Sequence, residues 1–269
     1  MAFFDTHTHI DVLLEGQHIG SHPVLKAAQV ADVQRILIAA VKATQFSNLT
    51  ALCAQVPHIC CYGVGLHPLF ITEHTQGDLD TLAEHLRLRP HFCVAVAEIG
   101  LERAIPELIT PENWAKQCEF LEAQLYLAQQ HQLAVSLHSR HSHDQLYTFL
   151  KRIELPQKGV IHGFSGSYVQ AKRFVDLGFA IGVGGTITYP RANKTRRAIS
   201  QLPLDALVLE TDSPDMPVNG YQGIPNEPAR IVNVFDALCA LRIESADKIQ
   251  SAVWTKSCQL FPSECFERK

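Results

Sequence analysis

The chain has 269 residues, of which 46% are hydrophobic and 19% are charged, a balance that suits one globular domain with a full core. Its net charge of −4 lacks the basic excess with which proteins grip long duplex DNA, so any nucleic-acid substrate would be a strand end or a short piece. The eight cysteines are scattered without a Cys-x-x-Cys pair, which is typical of reduced thiols and of a cytoplasmic protein. No membrane helix or secretory segment is expected, because no apolar run approaches about 18 residues and no basic segment precedes the first strand.

Short apolar runs alternate along the chain with longer amphipathic stretches. The runs are continuously apolar, as expected for parallel strands that are covered on both faces. Eight strands are predicted at residues 2–8, 35–41, 59–65, 92–98, 133–138, 159–163, 179–184 and 206–211. The clearest helix is predicted at 112–131, where apolar side chains recur every three or four residues after Pro111.

Eight strand–helix repeats predict a fold class, the TIM-type (β/α)8 barrel, an α/β architecture of about 250 residues. An open, doubly wound sheet is the alternative, but residues 7–16 lack the glycine-rich first turn that favours it. No linker, internal repeat or low-complexity tract divides the chain. Residues 1–269 are therefore expected to form a single barrel domain.

Six side chains of metal-ligand type fall where the predicted strands end. The C-terminal ends of barrel strands form the rim at which such enzymes place their active sites. The first two form a His-x-His pair, and residues two apart in a strand point to the same face. One such residue alone would be an ordinary buried or strand-end side chain, but the set indicates a metal site at the C-terminal rim. The predicted ligands are His7, His9, Glu98, His138, His162 and Asp212.

The ligand types are imidazole and carboxylate without thiolate, which suits zinc, manganese or magnesium. We expect two divalent ions with Glu98 as the bridge and Asp212 as the ligand that orients or deprotonates water. Such a site activates water near neutral pH and therefore predicts a hydrolase. His67, after the third strand, is expected to hold a phosphate or to polarise a leaving oxygen; the alternative is a histidine that caps a loop.

A positive cluster at residues 184–197 follows the seventh strand. Barrel loops after strands seven and eight often bind phosphate, so Arg191 and Lys194 are predicted to neutralise a phosphodiester. The alternative is a solvated helix face. Ser165 lies among small residues whose backbone could approach an anion, and Arg140 is expected to face the rim.

Three other polar residues are interpreted as structural. His141 and His143 lie past the end of the fifth strand, where a solvated histidine is ordinary. Asn226 precedes a Glu-Pro pair and an apolar helical pattern, so it is interpreted as a helix cap.

Taken in order, these motifs resemble the TatD family of metal-dependent deoxyribonucleases, among the amidohydrolase-like barrels, and within it the YjjV-like branch. The matching segments are residues 4–11, 65–68, 98–101, 137–140, 162–167 and 209–214. His-x-His alone is weakly specific, but the ordered set covers essentially the whole chain. The resemblance implies a metallohydrolase barrel with two divalent metals at the six ligands named above. It also implies 3′-to-5′ attack on DNA ends. DNA ends or short oligonucleotides are the expected substrates, and neither a membrane nor an obligate protein partner is expected.

The chain departs from the usual pattern of this family at three places. Glu102 and Arg103 stand where an aspartate and an aromatic residue are common, and Asp215 stands where an aromatic residue is frequent. Both departures bear on substrate choice rather than on metal binding. Ser142 replaces a common threonine or alanine. The alternative function is an amidohydrolase that splits an amide or lactone; many of those present a carboxylated lysine from strand four, where this chain presents Glu98.

Overall fold

The computed structural model describes residues 2–14 and 19–262, which leaves Cys265 outside the described residues. Eight parallel strands form one sheet in which each strand pairs with the next along the chain. The strands are β1 (Phe3–Thr8), β2 (Val33–Ala39), β3 (Cys60–Val64), β4 (Cys93–Glu102), β5 (Ala134–Arg140), β6 (Gly159–Ile161), β7 (Ala180–Val183) and β8 (Leu207–Leu209). The predicted TIM-type barrel is confirmed.

Helices cover the outside of the sheet and connect successive strands. They are α1 (Pro23–Val30), α2 (Phe46–Gln55), α3 (Gln76–Leu88), α4 (Pro111–His131), α5 (His143–Arg152), α6 (Tyr168–Asp176), α7 (Asn193–Gln201), α8 (Ile231–Leu241) and α9 (Ala246–Leu260). The helix predicted at 112–131 is α4, which begins with Pro111 and is capped by the Thr110 hydroxyl. No helix among the described residues is both long and apolar enough to cross a bilayer.

Several predicted strand boundaries are wrong; β5 ends two residues later and β6 two residues earlier than predicted. β2 lies two residues earlier than predicted, and β8 ends at Leu209 rather than at residue 211. β4 does not end at Glu98 but continues to Glu102, because residues 99–102 pair with residues 137–140 of β5. Glu98 therefore lies inside a strand, and the four residues after it carry a second acidic side chain to the rim.

The first and last strands close the barrel through hydrogen bonds that connect β1 with the end of β8. The Thr6 hydroxyl donates to the carbonyl of Leu209 over 2.9 Å. The buried carboxylate of Asp5 accepts from the backbone N–H of Thr211 at 2.9 Å and from its hydroxyl at 2.6 Å. The backbone N–H of Asp212 donates to the carbonyl of His7 at 2.9 Å. Closure therefore fixes the end of β8 against the His-x-His segment.

Alternation along the strands separates two cores. In β2, Ile36 and Ile38 join the large outer core beneath the helices, whereas Leu37 and Ala39 join the inner core of the barrel. Many inner side chains are small, which suits the narrow interior of an eight-stranded barrel. The inner core consists of Phe4, Leu37, Ala39, Cys61, Val94, Ala95, Ala97, Ala134, Val160, Ala180, Val208, Leu260 and Phe261.

Two register shifts change which residues of β1 and β4 face the interior. Between Asp5 and Thr8, three residues of β1 stand opposite two of β2. Between Val96 and Ile99, three residues of β4 stand opposite two of β5. One extra residue reverses the alternation that follows it. As a result the His-x-His pair and Glu98 point into the mouth of the barrel instead of into the outer core.

Gly100 should be intolerant of a side chain. Its φ is +148°, and a Cβ there would overlap the carbonyl oxygen of His138 on β5. Gly100→Ala is therefore expected to lower the free energy of unfolding by about 2 kcal/mol or more, measured by urea denaturation. Gly77→Ala is the control, because a Cβ at Gly77 would meet only the Thr75 hydroxyl at 3.6 Å. Equal stability of the two variants would contradict this account of the β4–β5 contact.

Candidate metal centre

Glu98 is the centre of the site and is only 1% exposed. Its Oε2 lies 3.3 Å from Nε2 of His7 and 3.2 Å from Nε2 of His9. The Oδ1 atom of Asp212 lies 3.8 Å and 3.6 Å from the same two nitrogens. His7, His9 and Asp212 thus each offer one ligand atom within 4.8 Å of the others, which is close enough to share one cation.

The second oxygen of Glu98 faces a different set of imidazoles. Oε1 lies 2.6 Å from Nε2 of His162, 3.0 Å from Nε2 of His67 and 3.1 Å from Nδ1 of His138. A carboxylate whose two oxygens face two groups of ligands is placed as a bridge between two ions. All six predicted ligands therefore lie close together, and the ring of His67 lies beside them.

Asp212 reaches the site through an uncommon backbone conformation. Its φ is +57°, in the left-handed region that non-glycine residues rarely occupy. The bond from its N–H to the carbonyl of His7 holds the backbone in place. Asp212 lies three residues after the end of β8, and its carboxylate lies at the mouth of the barrel, where the side chain is 17% exposed. Asp212 is therefore accessible both to an ion and to a substrate.

Each histidine ring has an inner nitrogen, which faces the metal site, and an outer nitrogen, which faces away from it. The partner of the outer nitrogen determines whether the inner nitrogen carries a proton or a lone pair. His9 donates from Nδ1 to the carbonyl of Ala39 at 2.8 Å, so its Nε2 keeps a lone pair for a cation. The His138 ring is reversed: Nε2 meets the carboxylate of Glu102 at 3.0 Å, and Nδ1 faces Glu98. His7 places Nδ1 2.7 Å from the hydroxyl of Ser136, which can donate or accept.

His67 is oriented as a hydrogen-bond donor to the site rather than as a metal ligand. Its Nδ1 accepts the backbone N–H of Leu69 at 3.0 Å and so caps the turn that follows β3. Burial lowers the pKa of His67 to about 4, so the ring is neutral and its single proton lies on Nε2. That N–H donates to Glu98. The ring therefore combines both roles considered for it, loop cap and hydrogen-bond donor at the site, and it does not offer a metal a lone pair.

The charge of the site fits a divalent cation. Although burial opposes ionisation, the imidazoles of His162, His67 and His7 hold the pKa of Glu98 well below its usual range, so the carboxylate is an anion. Around it converge ring nitrogens of His7, His9, His138 and His162, together with the carboxylate of Asp212. This donor set of nitrogen and oxygen without sulfur is the kind that binds zinc or manganese in hydrolases.

Glu210 is a buried acid that sequence reasoning did not assign to the site. Its Oε1 accepts the backbone N–H of Gly163, next to His162, and lies 4.0 Å from the Nδ1 atom of His162. A Cβ at Gly182 would overlap the Glu210 carboxylate, so a glycine in β7 makes room for it. Burial raises the pKa of Glu210 to about 7. The available signal in the sequence was the position of Glu210, an acid two residues before Asp212 at the end of a predicted strand.

Asn226 is buried and does not cap a helix, so that interpretation is wrong. Its amide Nδ2 donates to the carbonyl of Thr211 at 2.9 Å and to that of Met216 at 3.2 Å. Glu227 occupies the cap of the short turn that follows. Asn226 instead ties the loop after β8 to the strand end, which supports the backbone of Asp212.

A cavity of about 740 Å³ opens above the site, and its lining includes Arg140 and Ser165 as predicted. Arg191 and Lys194 do not line it; the Arg191 guanidinium lies 5.0 Å from the centre of the Tyr189 ring. A substrate role for those two residues stays a prediction that requires a substrate longer than the cavity.

The two histidines interpreted as solvated differ. His141 is exposed at the cavity. His143 is not solvated, because only 8% of it is exposed and its ring packs 5.1 Å from that of Phe164. The helical repeat of α5 places His143 on the inner face of the helix. Its sequence position, just past the end of a predicted strand, did not indicate this burial.

A β/α barrel in which imidazoles converge on a shared glutamate at the strand ends is the architecture of a metal-dependent hydrolase. Residues 4–262 match the family of TatD-related DNases. The chain therefore belongs to this family of metal-dependent hydrolases.

The relatives described here match along nearly their full length. A protein of Haemophilus influenzae described as an uncharacterized metal-dependent hydrolase is 60% identical, covering 97% of this chain and 100% of its own. The Escherichia coli metal-dependent hydrolase YjjV is 45% identical over 96% of this chain and 97% of its own. The crystal structure of that TatD homologue superimposes with a TM-score of 0.90. The Escherichia coli phosphotriesterase homology protein, solved with phosphate in its active site, shares the fold with a TM-score of 0.66 at 13% identity.

Metal should stabilise the folded protein through Asp212. Zinc or manganese added to chelator-treated protein at about 100 times its dissociation constant is expected to raise the melting temperature by roughly 5–10 °C, because only the folded state assembles the ligands. Asp212→Asn should reduce this shift strongly, whereas Asp236→Asn, which removes an exposed acid of α8 outside the cavity lining, should leave it unchanged. Differential scanning calorimetry measures both. Indistinguishable shifts in the two variants would remove Asp212 from the ligand set.

Proposed function

We propose that this protein is a phosphodiesterase that removes nucleotides from the 3′ ends of DNA, with strand ends or short single strands as substrates. The observation that supports this most strongly is the position of Glu98, whose two oxygens face two separate groups of ligands. A pair of divalent ions held in this way is suited to the attacking and leaving oxygens of a phosphoryl group. The description of the family as DNases supports the same class of substrate.

Two divalent ions, held by His7, His9 and Asp212 on one side and by His138 and His162 on the other with Glu98 between, would supply Lewis acidity and an acidified water. The side chains of the chain divide the remaining work among them.

Asp212 orients the attacking water from the cavity mouth and accepts its proton. Burial raises the pKa of Asp212, which makes this carboxylate a better base than an exposed one. His67 carries its proton on the nitrogen that faces the site, so it can donate a hydrogen bond to the leaving oxygen. Arg140 at the rim, with 60% of its side chain exposed, can pair with the phosphate.

The shape of the cavity favours a strand end over an internal site. About 740 Å³ accommodates a ligand of small-molecule size rather than a duplex. Among the residues that the structure describes, Arg140 is the only basic side chain, lysine or arginine, that lines the cavity. The net charge of −4 leaves few further contacts for a long polyanion.

The alternative is hydrolysis of an amide or lactone at the same centre. The cavity wall includes the apolar side chains of Val12, Leu69 and Met216, which would suit an uncharged substrate. No lysine lines the cavity in residues 2–14 and 19–262, so a carboxylated lysine from strand four is not part of this centre.

A direct assay distinguishes the two functions. Metal-loaded protein should release nucleotides from a 3′-labelled single-stranded oligonucleotide, and a chelator should abolish the release. Glu98→Gln and Asp212→Asn should each reduce kcat by at least about 100-fold, because they remove the bridging and water-orienting carboxylates. Asp236→Asn, an exposed acid of α8 that does not line the cavity, is the matched control and should retain activity. Turnover of a lactone panel without nucleotide release would favour the alternative.

Arg140 and Arg191 should respond differently to substrate length. Arg140→Ala is expected to raise KM about tenfold for a dinucleotide and for a 20-nucleotide strand alike, because Arg140 lines the cavity. Arg191→Ala should raise KM only for the longer strand and flatten its salt dependence. Arg87→Ala, on the exposed C-terminal end of α3, controls for the change in net charge. Equal effects of Arg140→Ala and Arg191→Ala on the dinucleotide would refute this placement.

A further inference from the structure

Glu102 ends β4 and faces the barrel interior on the same side as Glu98. It is fully buried, and its Oε2 lies 3.0 Å from Nε2 of His138. Its other oxygen accepts the backbone N–H of Ala104 at 2.6 Å. Both carboxylate oxygens therefore have partners, and one of those partners is a ring whose opposite nitrogen faces Glu98.

The backbone of Glu102 is clamped by a buried glutamine from α4. The side-chain oxygen of Gln117 accepts the N–H of Glu102 at 2.9 Å. The amide nitrogen of Gln117 donates to the carbonyl of Glu102 at 3.2 Å and to that of Leu108 at 2.7 Å. Because Gln117 satisfies both backbone groups, the Glu102 carboxylate is held at a fixed distance from the His138 ring.

We propose that Glu102 is a positioning residue that fixes the tautomer and orientation of His138, so that Nδ1 presents its lone pair to the ion on the Oε1 side of Glu98. An ionised carboxylate can only accept hydrogen bonds, so the proton of a neutral His138 must lie on Nε2.

The effect should be confined to one of the two ions. His9 is oriented by a backbone carbonyl and His7 lies beside a hydroxyl, both of which are uncharged partners. Among the residues that the structure describes, Glu102 is the only carboxylate within hydrogen-bond distance of the outer nitrogen of a ligand histidine. Loss of that carboxylate should therefore weaken the ion held by His138 and His162 and spare the ion held by His7, His9 and Asp212.

The length of the Glu102 side chain determines what its carboxylate reaches. Glutamate carries its carboxylate one methylene further from the backbone than aspartate does. The longer side chain also brings Oε2 within 3.9 Å of the Arg140 guanidinium. Glu102 thus lies between a metal ligand and the arginine that lines the cavity.

The test is a titration of chelator-treated protein with zinc by calorimetry and with cobalt by visible absorption. The unmodified protein should bind two ions. Glu102→Ala and Glu102→Gln should weaken one of them by about 10–100-fold and change one cobalt spectrum, whereas the other ion should bind as before. Glu102→Asp, which keeps the carboxylate, should restore most of the affinity. Glu107→Ala, an exposed acid in the following loop, should have no effect.

Binding of both ions with unchanged affinity in Glu102→Gln would overturn the proposal, as would equal losses in the aspartate and glutamine variants. Circular dichroism and thermal melting of the metal-free variants separate positioning from misfolding. If the alanine variant does not fold, the nearly isosteric glutamine variant decides. The inference rests on the metal site of the proposed function but not on its substrate. Loss of one ion in a protein that cleaves no oligonucleotide would refute the nuclease and leave the role of Glu102 intact.

Discussion

The enclosed negative charge of Glu98 is the constraint on which the rest of the site depends. A carboxylate with 1% exposure has lost nearly all its contact with water, a cost that opposite charges and hydrogen bonds must offset. Five imidazoles around the carboxylate supply that compensation. Two of them form the His-x-His pair, and the other three come from different segments of the barrel or its loops. A cation bound by these rings would stabilise the buried carboxylate in the same way, by opposite charge.

The extra residue in β4 explains how an acid reaches this position at all. Ala97 belongs to the inner core, so with regular alternation Glu98 would point to the outer face, beneath the helices. The shift turns it inward, and the neighbouring strand accommodates the change with glycines: a Cβ at Gly65 would lie 2.7 Å from the Glu98 carbonyl, and one at Gly63 would lie 2.6 Å from the Ala97 Cβ. Small residues beneath the centre therefore follow from the geometry of the strand that carries it.

The fold and the ligand set could be predicted because their signals are local. An apolar run that closes on a histidine or an acid is visible within a few residues, and its repetition defines the barrel. The partners of those ligands depend on pairings between distant segments. Glu102 meets His138 only because β4 continues in register with β5, and Asn226 supports Asp212 only because its loop folds back on the strand end. Likewise Arg191 is close to the site in sequence order, but its guanidinium lies against Tyr189.

His67 and His138 show why distance alone does not assign a role in such a centre. Their inner nitrogens lie 3.0 Å and 3.1 Å from the same oxygen of Glu98, so proximity treats them alike. Their outer nitrogens meet opposite chemistry. Nδ1 of His67 faces the N–H donor of Leu69, which leaves the ring a proton to donate inward. Nε2 of His138 faces the acceptor Glu102, which leaves the ring a lone pair to offer a metal. The division of the site into ligands and donors is thus set by the groups that contact the outer nitrogens of the rings.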